Sequence, residues 1–199
     1  MRIGLPETIS SEILTLCAQI VPGTLPQFLP VTPAPGAVPD NCFIEVEKQI
    51  QACGGSARHG WAIWETPFIM LEAEAHSVWV DDGGELHDIT PKRLGFERVL
   101  FLPDPEMIYS DRQVRTIFHP LSDAGATLVE VQNQKFEFMN RGDRADQHGE
   151  IKLVGDEANE WEAILASELM VSMLAFQYAV AQGLPLEELE KLMPRGPAV

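Results

Sequence analysis

Apolar positions along this chain follow two spacings, and the changes between them mark out its elements. Over residues 5–20, Ile13, Leu14, Cys17 and Ile20 recur at helical spacing behind Ser10 or Ser11, either of which can cap the first turn. Cys17 then reads as a small buried apolar side chain. Residues 21–40 carry Pro22, Pro26, Pro30, Pro33, Pro35 and Pro39, a density that predicts an irregular arm. Because this arm runs into Cys42, it could wall one side of a cleft.

Residues 41–53, NCFIEVEKQIQAC, return to the helical period, with Phe43, Val46, Ile50 and Cys53 as the expected buried stripe. Asp40 or Asn41 is a suitable N-cap, and Gly54-Gly55 stops the helix. From Gly60 the period becomes two. GWAIWE, FIMLEAEAHSVWV and ELHDIT predict three strands, broken at Thr66-Pro67 and at Asp81-Asp82-Gly83-Gly84. The second break is a hairpin signal, and a count about its centre puts residue 76 opposite residue 89, with Asp88 a near neighbour.

Residues 97–105 predict a further strand ended by a proline turn. Residues 127–139, TLVEVQNQKFEFM, alternate and predict one or two more, with an irregular stretch between. Residues 141–150 read as a polar loop, and Arg141-Gly142-Asp143 within it as loop composition. One long helix is expected from Asp156 to about Gly183, apolar on more than one side and so buried or in an interface. Ser167, Glu168, Ser172 and Gln177 interrupt its apolar run, which reads as too broken for a bilayer span. A short helix (PLEELEKLM) and a loose tail follow.

The expected class is α+β: a cysteine-bearing helix packed on an antiparallel β-sheet, with a long C-terminal helix. The expected segments are an N-terminal helix (1–20), a proline-rich arm (21–40), an α+β core (41–155) and a C-terminal helical segment (156–199).

Charge narrows the function. A net charge of −16 on 199 residues argues against covering phosphates of nucleic acid or an anionic membrane surface, and permits a basic partner. Three cysteines without a CxxC argue against a disulfide framework or a closed zinc knuckle, and suit a reducing compartment. The first residues show no basic n-region followed by an apolar run. The expectation is a cytoplasmic protein without cofactor, acting on a protein or peptide. Self-association through the C-terminal helix is an open alternative.

The candidate chemistry is a thiol, an imidazole and a carboxylate in chain order: Cys42 at a helix start, His76 on one strand and Asp88 on the next. The partial positive charge of a helix start favours a thiolate, although Glu45 and Glu47 oppose it. The imidazole would be base and then acid, and the carboxylate would orient it. Asn41-Cys42, His76-Ser77-Val78-Trp79 and Asp88-Ile89-Thr90-Pro91 together resemble the papain-like superfamily, more narrowly its transglutaminase-like branch. The Gly60-Trp61…Ile63-Trp64-Glu65 segment ahead of the histidine is similar to a set of uncharacterised bacterial and phage proteins. The resemblance covers about residues 40–102. It implies a peptidase, amidase or transglutaminase-like enzyme, with Cys42 as nucleophile, His76 as base and Asp88 as orienter. The nucleophile context differs from the usual pattern, being Pro39-Asp40-Asn41, and no close upstream residue suggests an oxyanion donor; Gln27 lies well before Cys42.

Trp61, Trp64 and Trp79 suit the core, and could also line a substrate pocket beside the histidine. Glu72, Glu74 and His76 share a strand face and, with His87 or Asp88, offer mixed ligands for a divalent metal. A third class is an acidic binding or inhibitor domain that keeps a hydrolase scaffold without using it. His119 and His148 have no partner pattern.

Overall fold

The computed structural model of the chain describes residues 4–92, 95–108, 116–141, 153 and 155–185. The fold is α+β and contains an antiparallel sheet and a long helix near the C-terminus. The elements in order are α1 (Ser11–Ile20), β1 (Gln27–Pro30), α2 (Cys42–Cys53), β2 (Ser56–Thr66), β3 (Met70–Val80), β4 (Leu86–His87), β5 (Arg98–Pro103), β6 (Thr116–Pro120), α3 (Asp123–Asn140) and α4 (Asp156–Ala181). The strands lie in the order β1-β5-β2-β3-β4, and β6 pairs with β3 off this path.

The described residues form two compact units. One comprises Leu5–Glu65 and Glu72–Ile117; the other takes Thr66–Leu71 and the chain from Phe118 onward. The second unit thus groups α3 with α4, where the sequence suggested a boundary at residue 155.

In the first unit, α1 begins at a working cap: the Ser10 side chain accepts a hydrogen bond from the Ile13 N–H. Ile13, Leu16 and Cys17 are buried, whereas Leu14, expected inside, is exposed. The proline-rich arm is not wholly irregular. Its Gln27–Pro30 segment pairs antiparallel with β5, matching Phe28 to Leu100 and Leu29 to Val99. An edge strand tolerates prolines at its ends because those positions need not donate to a ladder. Beyond β1, Val31 bridges to Asp88 in parallel. The Thr32 N–H donates to the Asp88 carbonyl at 2.8 Å, and the Ala34 N–H to that of Ile89 at 3.0 Å. The arm therefore joins the two ends of the strand order around a core of Leu29, Ala62, Val78, Val99 and Phe101.

Helix α2 spans the expected residues, but its buried positions are Cys42, Glu45 and Val46; Cys53 is exposed, and Phe43 and Ile50 are half-buried. Gly54 and Gly55 follow with φ of 76° and 82° and turn the chain into β2. A Cβ on Gly55 would lie 2.3 Å from the Val80 carbonyl and 2.7 Å from the Trp79 indole nitrogen. Only glycine admits that approach.

In the second unit, residues expected as strand form α3 instead. Ser122 caps it by accepting from the Gly125 N–H at 3.1 Å. Leu128, Val131 and Phe138 fall on one helical face and are buried, and Glu130, Gln132, Gln134, Lys135 and Glu137, good helix formers, lie between them. The stretch before it, expected to be irregular, contains β6. Helix α4 spans 26 residues. It buries only Ile164, Val171, Ala175 and Ala179; Leu169, Met170, Met173 and Leu174 are more than half exposed. By length and composition alone it is apolar enough to cross a membrane, despite the polar residues that made the run read as broken. Its Glu168 faces α3, accepting from Lys135 at 2.9 Å and from Gln132 at 2.9 Å. Val171, Ala175 and Ala179 pack with Leu128, Val129 and Val131, and with Ile69 and Met70 at the start of β3. The short helix and tail after Pro185 lie outside the described residues, as do residues 142–150 with His148. Arg141 pairs with Glu160 at 2.7 Å.

Candidate active site

The three residues singled out for thiol chemistry are brought together in the first unit. Hairpin geometry places two of them. The Asp81–Gly84 turn is closed by the Gly84 N–H on the Asp81 carbonyl and by the Asp81 side chain accepting from the Gly83 and Glu85 N–H groups. It pairs Val80 with Leu86 and Trp79 with His87. Extending that register puts Val78 opposite Asp88 and His76 opposite Thr90, one residue from the position counted from the sequence. His76 and Asp88 are then diagonal neighbours on one face. Their side chains meet: His76 Nε2 lies 3.0 Å from Asp88 Oδ2.

Asp88 is fully buried and its oxygens are accounted for. Oδ1 accepts from the Thr90 N–H at 3.1 Å, and Oδ2 takes His76 and the Lys92 ammonium, the latter at 2.7 Å. Burial pushes the Asp88 pKa up, but His76 and Lys92 outweigh it and hold the carboxyl below its usual range. The arm's bonds to the Asp88 and Ile89 carbonyls fix the same backbone from the other side.

Cys42 is the first residue of α2 and is 8% exposed. Its thiol is close enough to the His76 ring to raise the imidazole's pKa. Nε2 is shared between Asp88 and Lys92. Burial pulls the His76 pKa down; the Asp88 charge, opposed by Lys92 and helped by the bonds to Asp88 and Cys42, carries it up to about 9. The Phe101 ring sits edge-on to the imidazole, centroids 6.2 Å apart. Such an imidazole is charged at neutral pH and favours a thiolate beside it. Glu45, expected to work against that thiolate, is paired with Lys48 at 2.8 Å. Asn41 makes no side-chain cap, and Asp40 enters the helix at φ 64°, a left-handed conformation that Asp tolerates better than most residues. Gln27 is exposed on β1.

Lys92 is the member of this group that the sequence did not reveal. It follows a proline in a segment without periodicity, and its only signal is a position four residues past Asp88.

The three tryptophans engage their indole N–H groups within the fold. Trp61 donates to Asp104 at 2.9 Å, Trp64 to Glu74 at 3.1 Å and Trp79 to the Gly54 carbonyl at 2.9 Å. Trp61 is buried, the Trp64 ring lies on Phe96 and the Trp79 ring on His87. The metal alternative has no geometric support: among the described residues, no three His, Cys, Asp or Glu side chains are grouped to hold an ion. Glu74 is exposed and holds Trp64, and His87 bonds to Asp81 at 3.0 Å. His119 lies in β6.

No protein-family model matches the chain, and no curated protein or solved structure matches it.

Proposed function

We propose that this chain is a thiol-dependent acyl-transfer enzyme acting on an amide or isopeptide bond. One observation carries the reading: a single buried imidazole is hydrogen-bonded to the carboxylate of Asp88 and lies beside the thiol of Cys42. Cys42 Sγ attacks the acyl carbon, its proton having passed to His76. His76 then protonates the departing amine nitrogen, and the C–N bond breaks to leave a thioester. A water or an acceptor amine gives its proton to His76 as it attacks the thioester, and the sulfur departs to recover that proton. Asp88 holds the imidazole in one orientation throughout. The Cys42 N–H, at the start of α2, is the donor for the oxyanion. The resemblance to the transglutaminase-like branch agrees with this assignment. The acidic composition suits a basic protein or peptide partner.

The small exposure of Cys42 favours a second reading, a non-catalytic binding or inhibitor domain that retains the site. Native alkylation separates the two. In a Cys53→Ser background, which removes the exposed thiol, iodoacetamide labelling of Cys42 is followed by peptide mass from pH 6 to 8.5. A free thiol slows more than about a hundredfold over that range; an imidazolium-paired one slows far less. His76→Ala would restore the free-thiol slope. A free-thiol slope already present in the parent, unmoved by His76→Ala, would overturn the enzyme reading.

A further inference from the structure

Lys92 touches both other charged members of the site. Its ammonium lies 2.7 Å from Asp88 Oδ2 and 3.2 Å from His76 Nε2, and its side chain is 10% exposed. An ammonium has three donors and no acceptor. When Nε2 carries a proton, that proton points to Oδ2 and Lys92 only shares the oxygen. We propose that Lys92 is a positioning residue for His76, loosening the imidazole's hold on its proton by competing for Asp88 Oδ2 and by setting a positive charge against the ring. This rests on the thiol-site reading above.

The groups facing His76 are Asp88, Lys92, the Cys42 thiol and the Phe101 ring. With Asp88 alone, a buried imidazolium would hold its proton too firmly to return it to a leaving amine. General acid catalysis works best when the acid's pKa lies near the working pH. Lys92 sets a positive charge beside the imidazole and brings it back toward that range.

The test uses the whole chain with 15N-labelled histidine. In Lys92→Met, which keeps the apolar stem and removes the charge, the His76 titration should move up by about one pH unit or more. Lys92→Arg, which keeps the charge, should stay near the parent. A folded Lys92→Met with an unmoved His76 titration would overturn the proposal. If Cys42 proves to react as a free thiol, the enzyme reading fails, while the His76 titration still decides the role of Lys92.

Discussion

His76 Nε2 and Asp88 Oδ2 are 3.0 Å apart, and both side chains are sealed from solvent, at 7% and 0% exposure. The pair stores a pH dependence. His76 binds its proton more tightly folded, with a pKa of about 9, than unfolded, near 6.5. Its contribution is complete below about pH 6.5 and is lost as pH rises through 9. A thiol that gives up a proton in the same range would mask this, so the Cys42→Ala variant is the clean background. There the unfolding free energy should fall by on the order of 3 kcal/mol between pH 6.5 and 9, measured by urea titration at each pH. A flat profile would mean that Asp88 does not charge the imidazole.

Asp88 contributes in the opposite direction. Its folded pKa is lowered, so its stabilisation is present above the ordinary carboxylate value of 3.8 and disappears as pH falls through the folded one. Asp88→Asn removes the charge that both His76 and Lys92 lean on and leaves a buried ammonium without its partner. The variant should lose about 3 kcal/mol at pH 7, and Cys42 alkylation should take on the steep pH slope of a free thiol. Retention of both the stability and the shallow slope would show that the carboxylate is incidental.

The sequence made this pair legible because a two-residue period and a strong turn signal fix a hairpin register to within a residue or so. Here Trp79 meets His87, one position from the count made about the turn. Cys42 was legible for a different reason: helix stop and start signals bracket residues 42–53 sharply. Lys92 was not, because a long side chain curling back from an aperiodic loop leaves no pattern. Residues 127–139 misled because TLVEV and KFEFM alternate, while Leu128, Val131 and Phe138 also satisfy a helical face; the cap at Ser122 decides between them. β1 was hidden by its prolines, which an edge strand can carry. Of the three tryptophans expected in the core, Trp61 is buried and Trp64 and Trp79 are half-buried.

Helix α2 keeps its place against β3 through a contact that only glycine permits. Gly55 has φ +82°, and the space its Cβ would occupy holds the Val80 carbonyl and the Trp79 indole. Trp79 in turn donates to the Gly54 carbonyl at 2.9 Å. Gly55→Ala should therefore cost about 2 kcal/mol or more, from strain and displaced backbone together, with a change in Trp79 fluorescence and near-UV dichroism. Because α2 also carries Cys42, the shallow alkylation slope should steepen as well. An unchanged melting curve would show that the α2–β2 turn is slack.

In the second unit, α3 and α4 are held by a half-buried ion pair beside an apolar contact. Both Glu168 carboxylate oxygens accept from Lys135, at 2.9 and 3.0 Å, and Gln132 adds a third donor. Burial raises the Glu168 pKa, but the bonds from Lys135 and Gln132 outweigh it and hold the carboxyl below its ordinary range. Truncating one partner strands the other, so Glu168→Ala should destabilise by about 1–2 kcal/mol, and the loss should shrink as acid protonates Glu168 in the parent. Replacing both, with Lys135→Met and Glu168→Leu, removes the stranded charge and offers apolar surface to Val131 and Val171 nearby. The double variant should recover most of what Glu168→Ala loses. Urea unfolding of the three proteins supplies the comparison. A double variant no better than Glu168→Ala would mean that the ion pair contributes more than its desolvation takes away.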